Sequence, residues 1–175
     1  KYMAEEKKMH WYVAYTRVNQ EFLIKKKLDE LGIENFLPRE EQVRDTPLGR
    51  KTIQVLLIHG MIFIHTDKTT SFSLINEYCL NIVYLKDVEG RHSLIVPDKQ
   101  MEDFMFLLDF SPDGIEVLNK DLKRGDQVRV IKGPLQGLTG ELVRLRGHKR
   151  VVIRLDGVAS IATSYIPGSF LEKIE

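Results

Sequence analysis

The sequence is poor in cysteine and has no long apolar run, and each shortage excludes a class of protein. Cys79 is the only cysteine, which excludes an internal disulfide framework and a cysteine-only zinc site. No run reaches the roughly 18 apolar residues that a membrane-spanning helix needs. The polar start, Lys1 to His10, is unlike a signal peptide, and a first residue other than Met indicates a fragment or an incompletely ordered start. We therefore expect a cytoplasmic protein that binds no membrane.

Motifs of catalysis and cofactor binding are missing as well. The five histidines show neither paired metal-ligand spacing nor a helical HExxH arrangement. The sequence contains no G-x-S-x-G motif, no P-loop and no dinucleotide fingerprint. Cys79 falls on the predicted apolar stripe of a helix, where a thiol is normally an inert core residue. We expect no enzymatic activity, no metal site and no cofactor.

The net charge of the whole chain is close to zero, but its basic and acidic residues are distributed unevenly. The net charge is +1, yet residues 1 to 118 hold 15 basic and 19 acidic residues, a net of −4, whereas residues 119 to 175 hold 11 and 6, a net of +5. A change of sign between two regions predicts two modules with different partners. Only the second has the charge of a nucleic-acid-binding domain, although a solvated surface also explains an excess of this size.

The first module is predicted to alternate strands with helices in an α+β domain. Apolar residues at Ile24, Leu28 and Leu31 have the i, i+4, i+7 spacing of a helix that covers a sheet. The predicted elements are a strand at His10 to Thr16, a helix at Gln20 to Leu31 capped by Asn19 and ended by Gly32, a strand at Ile33 to Leu37, a hairpin or mobile loop at Arg39 to Lys51, a central apolar run at Ile53 to His65 interrupted by Gly60, a helix at Ser71 to Cys79 started by Thr69 and Thr70 with Phe72, Ile75 and Cys79 inward, a strand at Asn81 to Lys86, and a helix from Pro97 with a stripe at Met101, Phe104, Met105 and Leu108.

The second module is predicted to be a small β-barrel. Short β-rich runs follow one another closely, and glycines punctuate them where the chain turns sharply or approaches another strand. The five predicted strands are Gln127 to Ile131, Glu141 to Arg146, Val151 to Leu155, Ala159 to Thr163 and Phe170 to Ile174.

Two segments carry a family resemblance. Residues 126 to 140 resemble the KOW motif, in which a strand, a Gly-Pro turn, a central Gly and Thr-Gly lead into the next strand. Residues 11 to 13, Leu37-Pro38 and the run 57 to 64 resemble the amino-terminal domain of the NusG family of transcription elongation factors. The resemblance implies an antiparallel sheet flanked by helices at 9 to 110, a linker at 111 to 120 and an SH3-like KOW barrel at 121 to 175.

The departures from the family pattern favour a specialised paralogue. Ile58, His59 and Met61 stand where the family often has Phe, Pro and Tyr, and Leu155-Asp156-Gly157 replaces its usual Phe-Gly-Arg. The tail, 151 to 174, is similar to UpxY-type paralogues, which resemble factors that let polymerase read through long surface-polysaccharide operons. The resemblance thus implies a transcription elongation and antitermination factor that suppresses pausing or termination, and favours a specialised paralogue acting on surface-polysaccharide operons over the general factor.

The resemblance also implies contacts with RNA polymerase. In the family, an exposed apolar patch of the first domain binds the clamp helices of the largest subunit, and a second contact reaches the opposite subunit. Alternation along a strand means that only one face can serve as this patch, so Ile58 and Phe63 also fit simple core positions. The matching positions are Tyr15, Ile58, Met61 and Phe63 for the clamp helices, and Thr69, Thr70 and Ser71 for the opposite subunit.

Basic residues supply the candidate nucleic-acid contacts, to non-template DNA or nascent RNA. A lysine run on a helix is often merely solvated, whereas charges that converge on a hairpin tip favour phosphate binding. The candidates are Arg17, Lys25, Arg144, Arg146, Lys149 and Arg150. We expect a monomer, and the sequence leaves three alternatives open for the KOW barrel: a ribosomal protein, a termination factor or no partner. The alternative is a ribosome- or structured-RNA-binding KOW protein. Ribosomal KOW proteins lack the first module, so its presence distinguishes the NusG type from them.

Overall fold

The computed structural model describes residues 7–111, 114–118 and 124–174, which form three helices and thirteen strands in two compact units. Unit 1 lies within Lys1–Arg39 and Leu56–Asp98, and unit 2 within Glu40–Val55 and Lys99–Glu175. The helices are α1 (Glu21–Glu30), α2 (Lys68–Asn76) and α3 (Asp98–Phe110), and the strands are β1 (Met9–Thr16), β2 (Glu34–Phe36), β3 (Arg39–Thr46), β4 (Gly49–Leu56), β5 (Met61–Asp67), β6 (Ile82–Tyr84), β7 (Ile95–Val96), β8 (Ile115–Leu118), β9 (Gln127–Val130), β10 (Thr139–Leu145), β11 (His148–Leu155), β12 (Ala159–Thr163) and β13 (Leu171–Lys173).

Unit 1 is built on an antiparallel sheet in the order β2-β5-β1-β6, with β7 also paired to β1. The aromatic and β-branched residues of β1 and β5 favour these two central strands. Tyr12 lies opposite Ile64, and Ala14 lies opposite Ile62, in the register of the two strands. These four residues form a core with Ile24, Leu28, Leu37, Leu74, Leu80, Ile82 and Tyr84, so α1 and α2 cover this face of the sheet.

Helix α1 confirms the predicted helix and corrects its ends. The stripe residues Ile24 and Leu28 are buried, but Leu31 is 38% exposed because it lies beyond the last helical residue. The N-cap is Gln20, which makes no side-chain cap bond, rather than Asn19. Asn19 instead adopts a φ of 68°, a left-handed conformation that asparagine tolerates in turns.

Helix α2 begins earlier than predicted, and this changes which side chains face inward. Asp67 caps it in place of the predicted threonine pair, since the Asp67 carboxylate accepts a hydrogen bond from the Thr70 N–H. The buried residues of the helix are therefore Ser71 and Leu74, and Phe72 is 49% exposed. Cys79 lies beyond the helix end with a φ of 53° and is exposed, so its predicted core position is wrong.

The most apolar run of the sequence is divided between the two units. Strand β4 pairs with β3 as a two-stranded hairpin, which confirms the predicted hairpin and extends it to Leu56. Strand β5 begins anew at Met61, after Gly60 with its φ of 70°. The predicted interruption at Gly60 is confirmed, but only the second half of the run lies at the centre of the sheet.

Unit 2 contains an antiparallel sheet in the order β13-β9-β10-β11-β12-β8. All five predicted strands are present, which fits the predicted SH3-like fold and confirms the α+β class. The sixth strand, β8, pairs with β12 and lies inside the predicted linker, 111 to 120. This run of four residues is too short to be identified as a strand from its pattern alone. Residues 112, 113, 119 and 120 of that linker fall outside the described residues, and the predicted domain bounds stay predictions.

Helix α3 belongs to unit 2 from Lys99 onward. The side chain of Gln100 donates to the Asp156 carboxylate at 3.0 Å and accepts from the Asp156 N–H at 3.1 Å. Met101 and Phe104 are buried as predicted. Leu107, and not Leu108 or Met105, completes the buried stripe. The i, i+3, i+6 positions therefore face inward in place of the predicted i, i+3, i+4, i+7 set.

Candidate functional site

A row of three apolar side chains crosses the end of the unit 1 sheet. Tyr15 of β1 lies opposite Met61 of β5 on one side and Val83 of β6 on the other. Residues directly opposite in neighbouring strands present their side chains on the same face. Val83 is 64% exposed and Tyr15 is 49% exposed, whereas Met61 is only 8% exposed. This apolar row, Met61, Tyr15 and Val83, is thus open to solvent on the β1 and β6 side.

The same face is closed further along the strands. Val13 and Phe63, the next pair inward, are fully buried. Met61 and Phe63 were expected on an exposed stripe, but both are buried, while Ile58 is half-buried. A phenylalanine suits both a core position and an exposed contact position, so the sequence did not distinguish the two for Phe63. Their predicted contacts with a partner are not tested, and the exposed member of the predicted set is Tyr15.

A buried carboxylate fixes the loop that carries Ile58. Glu21, only 2% exposed, accepts a hydrogen bond from the Gly60 N–H at 2.9 Å. The Gly60 carbonyl in turn accepts from the Thr16 N–H at 2.9 Å. A Cβ at Gly60 would lie 3.3 Å from the Thr16 oxygen. The loop is therefore held against the ends of both β1 and α1.

Sequence reasoning missed Glu21, although a signal was present. Glu21, Ile24 and Leu28 lie at i, i+3 and i+7, so a carboxylate in the first turn shares the inward face of α1. A charged residue on an apolar stripe must find a hydrogen-bonding partner when it is buried. The position of Glu21 on the apolar stripe thus indicates that its carboxylate accepts a hydrogen bond within the fold, but the sequence does not identify the Gly60 N–H as the donor.

The predicted contact residues at the start of α2 are mostly engaged within the helix. The Thr70 hydroxyl donates to Asp67 at 2.6 Å, and this bond holds the pKa of the Asp67 carboxyl below its usual range. Ser71 is buried, its hydroxyl donating to the Lys68 carbonyl at 2.6 Å. Thr69 is exposed and is the member of this group best placed to meet a partner.

Of the two basic residues of unit 1 that were predicted to contact nucleic acid, one is hydrogen-bonded within the unit and the other is exposed. Lys25 is half-buried and donates to the Asn35 side-chain oxygen at 3.0 Å. Asn35 also donates to Asp29, and this hydrogen bond lowers the pKa of the Asp29 carboxyl. Arg17 is exposed at the end of β1. Lys25 therefore stabilises the junction of α1 with β2, whereas Arg17 is accessible.

A basic cleft in unit 1 was not found from the sequence. Its volume is about 310 Å³, and its cations come from the first residue of α2 and from the segment between β6 and β7. Phe72 and Tyr12 add aromatic surface to it. These cations are Lys68, Lys86 and Arg91. They lie 18 and 5 residues apart in the sequence, so no local motif identifies them as a group.

In unit 2, the basic hairpin formed by β10 and β11 contains two kinds of cation. Arg146 and Arg150 both donate to Glu116, and the hydrogen bond from Arg146 is the main cause of the lowered pKa of that carboxyl. Arg144 and Lys149 lie directly opposite each other in the register of the two strands. All four were predicted to bind nucleic acid, but Arg146 and Arg150 are occupied by a carboxylate.

The described parts of the chain contain neither a group of metal-binding side chains nor a helix that could span a membrane. Within residues 7–111, 114–118 and 124–174, no three His, Cys, Asp or Glu side chains are grouped in a way that could hold a metal ion. None of the helices in these ranges has both the length and the apolar character to cross a bilayer.

Comparisons with known proteins identify the family. Residues 9–105, more than half of the chain, match the family model described as transcription termination factor nusG. No curated protein matches significantly. The solved structure of domain interaction in Thermotoga maritima NusG is similar over 96% of this chain and 98% of that chain, with 19% identity and a TM-score of 0.47. The MjSpt4:Spt5 complex is similar over 94% and 97%, with 11% identity and a TM-score of 0.29. The chain therefore belongs to the NusG family of transcription factors.

Proposed function

We propose that this protein is a transcription elongation and antitermination factor that binds RNA polymerase through the apolar row of unit 1. The single observation that carries the proposal is the exposure of Tyr15 and Val83 side by side at the end of a NusG-family sheet. Exposed apolar side chains that lie next to each other form a contiguous patch, and such a patch favours a docking role more than apolar residues exposed singly do. The proposed partner is the pair of clamp helices in the largest polymerase subunit.

The surroundings of the row support a rigid docking site. Met61 is the buried member of the row, and the hydrogen bonds between Glu21, Gly60 and Thr16 hold the adjoining loop. A surface that is already ordered loses less conformational entropy when a partner binds. Tyrosine suits such a contact because it combines a large apolar ring with a hydroxyl that remains hydrated at the edge.

Further contacts are proposed around this row. Thr69 would meet the opposite polymerase subunit, and Arg17 would lie near non-template DNA. Unit 2 would bind a ribosomal protein or a termination factor, and the protein would act in the cytoplasm as a monomer. The tail at 151 to 174 and the residues Ile58, His59 and Met61 support a specialised UpxY-type paralogue that acts on surface-polysaccharide operons.

A transcription assay tests the proposal. Purified polymerase from the same organism would transcribe a template with a defined pause and a terminator, with and without the full chain. We expect shorter pauses and more read-through, and we expect both effects to be lost in the Tyr15→Glu/Val83→Glu variant. Unchanged pausing and termination at saturating protein, together with no binding to polymerase, would contradict the proposal.

The second candidate function is that of a ribosome- or RNA-binding KOW protein. It is favoured by two cations of the basic hairpin that have no carboxylate partner among the described residues, the exposed Arg144 and the half-buried Lys149. The full chain added to a cell extract would then sediment with ribosomes and not co-purify with polymerase. The same double variant of the apolar row would leave this association unchanged.

A further inference from the structure

We propose that unit 2 binds single-stranded nucleic acid in a pocket beside the basic hairpin, with phosphates at Arg144 and Lys149 and a base against Tyr165. The pocket opens to solvent and has a volume of about 510 Å³, and Gly147, His148 and Gly168 complete its lining. This site is separate from the apolar row, so the proposal stands whether or not the protein binds polymerase.

The first support is an unfavourable pairing of charges. Arg144 and Lys149 are direct cross-strand partners, and like charges in this position destabilise a sheet. Among the residues that the structure describes, neither side chain forms an ion pair. A glutamate at either position would remove the repulsion and stabilise the hairpin. Two cations held together without a carboxylate are therefore suited to a phosphate ligand, which would replace the missing counter-charge.

The neighbouring cations of the same sheet, in contrast, are paired with carboxylates. Arg146 and Arg150 share Glu116, and Arg129 donates to Glu172 at 2.9 Å. Arg146 and Arg150 thus share a single carboxylate, which compensates one of their two positive charges. Arg144 and Lys149, the two cations that line the pocket, have no carboxylate partner among the described residues, so they locate the phosphate-binding positions more narrowly than the sequence did.

The aromatic surface indicates which kind of nucleic acid fits. The rings of His148 and Tyr165 lie with their centroids 5.6 Å apart at an interplanar angle of 63°, and Tyr165 is 55% exposed. An exposed ring beside cations offers a stacking surface for an unpaired base. Bases within a duplex are already stacked on one another and cannot use it. The pocket therefore favours a single strand.

The backbone keeps the pocket open. The Ile166 N–H donates to the Lys149 carbonyl at 3.1 Å, which fastens the segment carrying Tyr165 to β11. A Cβ at Gly168 would lie 3.3 Å from the Lys149 ammonium nitrogen, so any larger residue would crowd that amine. These contacts hold the aromatic ring and the cations on the same side of unit 2.

The test is a binding measurement on the full chain. Fluorescence anisotropy would follow a labelled, unstructured 12-nucleotide RNA, the DNA of the same sequence, and the duplex form of the RNA. We expect the single strands, RNA or DNA or both, to bind more tightly than the duplex. For Arg144→Gln/Lys149→Gln we expect at least tenfold weaker binding, and a log–log salt dependence shallower by about 1.4, at roughly 0.7 for each phosphate contact. For Tyr165→Ala we expect binding weaker by about 5- to 100-fold, with an unchanged salt dependence.

Two charge-matched variants serve as controls. Lys132→Gln/Lys173→Gln removes two cations of unit 2 that do not line the pocket, and Lys86→Gln/Arg91→Gln removes two from the basic cleft of unit 1. Both should weaken binding less than threefold. Thermal unfolding checks the folded state, and the loss of repulsion should leave the midpoint of the pocket double variant unchanged or higher. If that variant does not fold, the exposed Tyr165 still decides the result.

Several results would overturn the proposal. They are equal losses in the pocket and control variants, a loss carried by the unit 1 cleft alone, duplex binding as tight as single-strand binding, and full binding by Tyr165→Ala. Equal affinity for a 12-residue polyglutamate peptide that competes with the RNA would assign the pocket to an acidic protein partner instead.

Discussion

The apolar row of unit 1 and the basic pocket of unit 2 differ in chemistry but share one property. Tyr15 and Val83 leave apolar surface in water, and Arg144 and Lys149 face each other without a counter-charge. Folding alone favours neither arrangement. Directly beside each surface, the fold satisfies its polar groups, through Glu21 in unit 1 and Glu116 in unit 2. We propose that both surfaces are kept for partners, because each leaves favourable interactions unmade directly beside polar groups whose interactions the fold completes.

The largest expected effect separates the buried and exposed parts of one sheet face. Phe63→Ala should lower the free energy of unfolding by about 3–5 kcal/mol, because Phe63 is fully buried and its removal leaves a cavity. Tyr15→Ala, on the same face, should cost about 1 kcal/mol or less. Urea denaturation measures both variants. A loss below about 1 kcal/mol for Phe63→Ala would mean that Phe63 is accessible, as a contact residue would be.

The next effect tests the carboxylate that anchors the loop of unit 1. Glu21→Ala should lower the free energy of unfolding by about 1–3 kcal/mol, because the buried Gly60 N–H loses its acceptor. Glu30→Ala, at an exposed position of the same helix, is the control and should change stability by less than about 0.5 kcal/mol. Hydrogen exchange at the Gly60 amide should accelerate only in the first variant. Equal effects of the two substitutions would remove Glu21 from this role.

A smaller, pH-dependent effect tests the corresponding carboxylate of unit 2. Arg146 and Arg150 lower the pKa of Glu116 from its usual 4.5, so its ionised form is favoured in the folded state. The stabilisation is fully present above about pH 5 and is lost as the pH falls through the lowered pKa of the folded state. Glu116→Gln should therefore cost about 1 kcal/mol at pH 7, and this difference should shrink below pH 4.

The unfolding midpoints of the two proteins across this pH range measure the effect. A difference that stays constant from pH 7 to pH 3 would contradict an ionised Glu116 as the bridge between the two arginines.

The predictable part of the fold follows regular patterns. Helix α1 and the five strands of unit 2 were predicted because their apolar periodicity and glycine punctuation are local properties of the sequence. The start of α2 was misplaced because two residues competed as caps, and Asp67 accepts the Thr70 N–H better than a threonine does. Strand β8 was missed because pairing with β12, a long-range contact, and not local propensity, defines it.

The candidate sites were predicted less completely. Strand alternation placed Tyr15, Met61 and Phe63 on one face, but it does not say how far along the strand that face is covered. The basic hairpin was identified from its charge, whereas its division by Glu116 depends on a residue about 30 positions away. Tyr165 gave no signal because an isolated aromatic residue in a loop has many uses, and its position beside His148 and the pocket is visible only in the structure.

The most direct test compares two exposed apolar pairs of identical composition in unit 1. Tyr15→Glu/Val83→Glu changes the apolar row, and Tyr78→Glu/Val88→Glu changes residues that are 52% and 100% exposed elsewhere. Each variant should lose less than about 1 kcal/mol of stability, because all four side chains are at the surface. We expect the first to weaken binding to RNA polymerase at least tenfold and the second to bind as the unmodified protein does. Equal binding by both variants, in a titration that detects the unmodified complex, would contradict the proposed docking surface.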